Sequence, residues 1–455
     1  MQLDEHLFRR ESARIVAALT RVFGVHNLAL AEDVVQDAFC RAAEVWKVRG
    51  VPENPSAWLM TTAKNRALDV VRRERTARTF APEVSRLLET EWTLAPTVAE
   101  SFDAPVIRDE QLRMMFSCCQ PRLPENVQVA LVLNILCGFG ANEIANAFLT
   151  GRAAIEKRIS RGKKALASSK RLFDLSDADF AERLSSVRRA LYLLFNEGYH
   201  GASAESAVRA DLCREAIGLV TLLLEHPPAA TPETNALAAL MCLHAARLPA
   251  RVDDAGDLSP LVEQDRSRWD AELVARGLTF FEASSSGTEV SAYHVEAAIA
   301  AVHAGSQGDD VDWNTIVALY DRLMQIAPSP VVALNRAIAI AQRDGADSGI
   351  AALEAIADAD RLEKYPFHAA ALGELELRRG NPGRAQEHFS VALVLARNAE
   401  ERRFLERRVR VAGGTTEGRN DGSTERRNDG STERRDDGST ERQNDGRTEA
   451  QNDGN

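Results

Sequence analysis

Residues 123–166 read LPENVQVALVLNILCGFGANEIANAFLTGRAAIEKRISRGKKAL. Val127, Ala130, Leu131 and Ile135 recur at helical spacing and predict one buried face. Gly138 and Gly140 then break the helix. Asn142 is placed to cap a short second helix whose Ile144, Ala145 and Phe148 point inward. A turn through Leu149, Thr150 and Gly151 leads into a third helix, with Ile155, Ile159 and Leu166 toward the core. This is the layout of a helix-turn-helix. It leaves Arg152, Ala153, Glu156, Lys157, Ser160 and Arg161 outward, where a recognition helix meets base edges in the major groove. Arg158, Lys163 and Lys164 are placed for phosphates, which position a protein without reading sequence.

A second basic helix precedes it, WLMTTAKNRALDVVRRER at 58–75. Leu59, Ala63, Ala67 and Val70 form its apolar seam. Asn65, Arg66, Asp69 and Arg73 share another face, with Arg72 and Arg75 extending the charge. An amide beside a guanidinium suits base edges and phosphates, although a solvated helix face gives the same pattern. Between the two modules, residues 77–107 hold Pro82, Pro96 and Pro105 and several carboxylates, and are expected to form a flexible acidic linker.

The chain has 455 residues and a formal net charge of -11, unevenly spread. Residues 1–171 carry 25 Lys and Arg against 20 Asp and Glu, a net +5, so the remainder carries −16. A basic front on an acidic chain points to an acidic partner at the front, and the back half could compete with it. No apolar run reaches the roughly 18 residues of a membrane span, and the first residues carry no signal-peptide pattern. The six Cys are scattered without a CxxC pair and read as buried thiols. Phosphate loops, dinucleotide glycine triplets, HExxH and nucleophile elbows are all missing, so no enzyme, cofactor or metal is expected.

Almost everything before residue 412 has helical periodicity, so the fold class is all-α. Residues 371–395 place Leu372, Gly373, Gly380, Ala385, Phe389, Ala392 and Leu393 at tetratricopeptide-repeat (TPR) spacing, and 333–356 form a weaker copy. An irregular helical domain is the alternative. Residues 417–455 repeat an octapeptide with Asn-Asp-Gly and almost no apolar residue, and are expected to be a disordered tail.

The succession AEDVVQDAF, NPSAWL and KNRALDVVRRER within 9–76 closely resembles the second conserved region of extracytoplasmic-function (ECF) RNA polymerase sigma factors. Residues 108–168 resemble their fourth region. The resemblance implies two small helical sigma domains, a region 2 bundle at 1–76 and a region 4 helix-turn-helix at 108–171. Asp33, Gln36, Asp37 and Phe39 would meet the clamp coiled coil of core RNA polymerase, whose flap would meet region 4. The loop 50–56, with Asn54, and Trp58 would hold a base flipped from the promoter minus-ten element, and a snug pocket is needed to offset the cost of flipping. Asn65, Arg66, Asp69, Arg72, Arg73 and Arg75 would hold the melting duplex. Arg152, Ala153, Glu156, Lys157, Arg158, Ser160, Arg161 and Lys164 would face the minus-thirty-five element. Glu156, Lys157 and the turn FLTGR depart from the common pattern, which leaves the promoter sequence open.

Residues 172–411 look like the helical, TPR-like extension of one ECF subgroup, followed by the tail at 412–455. In that subgroup the extension governs activity, and small YCII-related (DGPF-type) proteins are candidate partners. The implied function is a cytoplasmic sigma factor that binds core polymerase and promoter DNA and initiates transcription. Its rival is a DNA-binding regulator or scaffold that does not load polymerase. Two clusters inside the extension tempt a chemical reading: Glu197, His200 and Cys213, and QDRSRWD at 264–270. Both are expected to tie or cap helices. Cys118 and Cys119 are expected to be buried.

Overall fold

The computed structural model describes residues 5–23, 28–80, 104–120, 122–147, 150–168, 177–200, 208–253, 257–306 and 310–420. All regular structure among them is helical, apart from an isolated bridge between Val252 and Leu258. No helix among the described residues is long and apolar enough to cross a membrane. The expected disordered repeat from 421 onward and most of the acidic linker, 81–103, lie outside the described residues.

The first module comprises α1 (Glu5–Phe23), α2 (Leu28–Arg49) and α3 (Pro55–Phe80). Its seam is Ala31, Val34, Val35, Ala38, Ala42 and Trp46 of α2 against Leu59, Ala63 and Ala67 of α3. Trp46 meets Trp58 edge to face at 5.4 Å. The second module comprises α4 (Ala104–Cys118), α5 (Glu125–Leu131), α6 (Ala141–Ala147) and α7 (Arg152–Ala167). A π-helical segment, Val132–Leu136, continues α5. α7 lies so close to α5 that a Cβ on Gly162 would sit 2.7 Å from the Leu131 side chain. α1 packs on α4 as well as on α2 and α3, so the two modules are joined.

The extension begins with α8 (Asp177–His200), α9 (Ala210–Leu224) and α10 (Pro232–Ala245), which share one continuous hydrophobic core with both modules, from Ile15 to Ala245. α8 lies on α4 and α5: Phe180 meets Phe116 at 4.5 Å, Arg183 donates to the Phe116 carbonyl at 3.2 Å, and Arg189 pairs with Glu125. Short α11 (Leu248–Arg251) precedes a coiled path of helical hairpins. These use α12 (Ala271–Ser284), α13 (Ala292–Gly305), α14 (Trp313–Ile326), α15 (Pro330–Asp344) and α16 (Ala346–Glu354). The path ends in α17 (Pro366–Arg378), α18 (Pro382–Val394) and α19 (Ala399–Asn420).

The hairpins α15–α16 and α17–α18 fall on the two stretches with repeat spacing, and small residues make their close approaches. A Cβ on Gly373 would lie 2.9 Å from the Phe389 ring. α19 then crosses back to the loop after α11. Arg403 reaches Asp257 at 2.9 Å, Arg407 reaches Asp257 at 3.1 Å, and Arg408 reaches Glu263 at 2.8 Å. The superhelix therefore closes on itself.

Several expectations are corrected. Asn142 does not cap: α6 already begins at Ala141, so Gly140 stands at the cap position and Asn142 inside the first turn, where the Glu143 carboxylate reaches back to accept the Gly140 N–H at 2.8 Å. Cys40 is exposed, because its neighbours Ala38 and Ala42 take the inward positions of α2; Cys118, Cys119, Cys137, Cys213 and Cys242 are buried. α19 continues past residue 411, the expected end of the extension, because Ala412 is buried against Ala385 and Phe389. Likewise α3 runs beyond 76 to Phe80. Phe148 and Leu149 lie outside the described residues.

Between α8 and α13, Tyr192 donates to Glu296 at 3.1 Å, and burial pushes the Glu296 carboxyl up to about 7. A carboxyl whose folded pKa is raised weakens the fold as pH climbs from about 4.5 to 7. Glu296→Gln keeps an acceptor for Tyr192 and removes the charge. We expect it to stabilise the chain at pH 8 by on the order of 2 kcal/mol and to be neutral near pH 4.5. Thermal melts at the two pH values check this, and an equal shift at both would refute it.

Candidate nucleic-acid interface

The loop 50–54 turns at Gly50, whose φ of 79° favours glycine, and ends where Asn54 caps α3. The Asn54 Oδ1 accepts the Ala57 N–H at 3.0 Å, and Pro55 occupies the first helical position. One side of Asn54 is thus committed to the helix. Trp58 is half-buried against Trp46, so only part of its ring faces the loop. Val48 and Val51, 84% and 47% exposed, add apolar surface beside this loop. Sequence reading missed them because a lone valine near a helix end carries no periodic signal.

On α3, Asn65, Asp69 and Arg73 are exposed, as the pattern implied. Arg66 is half-buried and holds Asp37 of α2, Nε to Oδ2, at 2.8 Å. A residue expected to meet polymerase and one expected to meet DNA are therefore bonded to each other. The side chains of Arg72 and Arg75 lie outside the described residues. On α2, Asp33, Gln36 and Asp37 form an exposed acidic-polar strip, whereas Phe39 is half-buried against the core and offers only an edge.

On α7 the inward set is Ile155, Ile159, Gly162 and Leu166, and the outward set of the sequence reading is exposed: Arg152, Ala153, Glu156, Lys157, Ser160, Arg161 and Lys164. Arg158 is half-buried. Arg152 pairs with Glu156 at 2.7 Å, one turn along, which neutralises the start of this face. Lys157, Arg161 and Lys164 make no ion pair among the described residues. Lys163 is not free for a phosphate: its Nζ lies 2.6 Å from Glu32 of α2 and ties the two modules together.

The tempting clusters inside the extension have structural roles. Asp270 caps α12, accepting the Leu273 N–H at 3.0 Å, and Asp265 accepts from Ser267. Arg209, beside Glu197 and Cys213, reaches Glu143 of the second module at 3.4 Å. No metal-ligating group of three or more His, Cys, Asp or Glu occurs among the described residues. Burial lifts the Cys118 thiol to about 12, the opposite of a reactive thiolate.

Comparison with known proteins adds three findings. Residues 7–77 match the family described as Sigma-70 region 2, and residues 183–285 match a Family of unknown function (DUF6596). The chain is also 38% identical over 392 residues to Uncharacterized protein R00370 of Rhizobium meliloti (strain 1021), covering 86% of this chain and 91% of that protein. Region 2 implies core RNA polymerase and promoter DNA as partners. The chain belongs to the same family as the Rhizobium meliloti protein, and its residues 7–77 carry a Sigma-70 region 2, a module of transcription proteins.

Proposed function

We propose that this chain is an ECF-type sigma factor, working in the cytoplasm, whose TPR-like extension regulates it. In this reading the first module, through α3, is region 2, a linker follows, and the second module, α4 to α7, is region 4; the regulatory extension runs from about 172 through α19, and the tail follows it. Asp33, Gln36 and Asp37 dock on the polymerase clamp. Asn65, Arg66, Asp69 and Arg73 hold the minus-ten duplex, and the outward face of α7 meets the minus-thirty-five element. The observation that carries the reading is the match to region 2 on the helices that present an acidic-polar strip beside a basic one.

Regulation by closure fits the contacts. The two promoter elements, by the positions in their names, lie about 25 base pairs apart, roughly 85 Å at 3.4 Å per base pair. Region 2 and region 4 touch through Glu32–Lys163 at 2.6 Å and through α1 on α4. They must separate to reach both elements, and the extension, packed on α4 and α5, is placed to govern that step. Among the described residues none of the acidic half covers the exposed face of α7, which favours control through module spacing.

The test is co-elution of the full chain with core RNA polymerase in size-exclusion chromatography. The triple variant Asp33→Ala, Gln36→Ala, Asp37→Ala should lose co-elution while keeping its melting temperature. Failure of the unmodified chain to co-elute would favour the rival, a DNA-binding regulator. Fluorophores on α2 and α7 should move apart on adding polymerase; an unchanged distance would sink the closure reading.

A further inference from the structure

The superhelix forms a half-open cavity of about 420 Å³ between the loop after α11, the inner faces of α13 to α15, and α17 to α19. That is the size of a small-molecule site, roughly 300–1,000 Å³. Its wall is mixed. Trp313, Ile316, Phe367 and Phe404 supply apolar surface, and Arg247, Arg251, Arg378 and Arg408 supply cations.

Two of these cations are balanced. Arg378 and Arg408 share Glu374, at 3.7 and 3.1 Å, and Arg408 also reaches Glu263. The other two are not: neither Arg247 nor Arg251 has a carboxylate within ion-pair distance among the described residues. Arg247 bonds only the neutral Gln264, at 3.3 Å, and faces the Trp269 ring at 5.6 Å. Arg251 lies over the Tyr199 ring at 4.1 Å, and its buried Nε has no partner. Nearby Arg266 is spent on the carbonyls of His303 and Ser306. Burial, Arg251 and Arg266 together depress the Arg247 pKa; His303, also in the wall, is pushed down to about 4 and stays neutral, its Nδ1 unbonded. Both are half-buried, and a cation partly withdrawn from water without counter-charge favours an anion beside it.

We propose that this cavity binds a small amphipathic anion, an organic acid whose head sits between Arg247 and Arg251 and whose aromatic or aliphatic body lies along Trp313, Phe367 and Phe404. Phosphate alone lacks the body, and a neutral hydrophobe lacks the head. The site does not depend on the sigma-factor reading.

The test uses the full chain and the fluorescent anion 8-anilinonaphthalene-1-sulfonate, an aryl ring system with one sulfonate. We expect saturable binding of one probe per chain. N-phenyl-1-naphthylamine, which has the same rings without the sulfonate, should bind about 10-fold more weakly or worse. Arg247→Gln with Arg251→Gln should weaken the anion about 10-fold or more, while Arg336→Gln, at an exposed pair with Asp321 outside the cavity, should leave it unchanged. On the unmodified chain, decanoate should displace the probe and decanol should not, so the result stands even if the double variant fails to fold. Equal binding of the two probes, displacement by decanol, or full affinity in a folded double variant overturns the proposal. Displacement by inorganic phosphate as effective as by decanoate overturns its apolar half.

Discussion

Replacing Arg188 by alanine should cost the chain about 2–4 kcal/mol, the largest loss expected from a single charged residue here. Arg188 is buried on α8 and pairs with Glu233 at the start of α10, with Thr231 also in reach at 3.4 Å. Truncating it leaves Glu233 without its counter-ion beside Tyr293, and Glu233 recovers only part of its hydration because its side chain is 34% exposed. Removing both charges, as in Arg188→Met with Glu233→Gln, should recover most of the loss, because a buried pair gains little over a neutral pair of similar size. Chemical denaturation of the two variants checks this. A double variant no better than the single one would mean that Arg188 acts through packing alone. Since α8 also carries Phe180 and Arg183 onto the second module, the single variant should loosen that junction too.

The second large effect is on DNA. Lys157→Ala with Arg161→Ala removes two exposed cations that make no ion pair among the described residues, so stability should change by less than about 0.5 kcal/mol. If α7 enters the major groove, each truncated side chain costs about 1–3 kcal/mol of binding, and together they should weaken promoter affinity at least about 30-fold. The salt dependence should also flatten, by about one counterion for each phosphate that the variant leaves unneutralised. Anisotropy titrations of the full chain with core polymerase, at several salt concentrations, measure both. Unaltered affinity would show that α7 does not carry the minus-thirty-five interaction.

The buried residues were legible where periodicity repeats. Leu59, Ala63 and Ala67, and likewise Ile155, Ile159 and Leu166, lie buried as their three- and four-residue spacing requires. The exposed half of each helix follows by subtraction, which is why Lys157 and Arg161 could be named from the chain alone. The family of the front end was legible for a different reason: several short motifs in fixed order are far more specific than any one. The role of Asn142 was misread because capping depends on backbone angles that one residue more or less of helix will change.

What the sequence by itself determined is the local layer: helices, their inward faces, two basic modules and a stretch with repeat spacing. Each depends on residues a few positions apart, and short-range sterics and amphipathicity decide them. Only the tertiary structure decided which of the exposed charges are free. Lys163 looks like a phosphate contact, yet it is held by Glu32, 131 positions away. Arg66 is held by Asp37. Arg247 and Arg251 carry no sequence signal of their own, yet they stand on one cavity wall without a carboxylate partner among the described residues, where α19 meets the loop after α11. Charge pairing over such separations depends on how elements pack, and no local pattern in the chain encodes it.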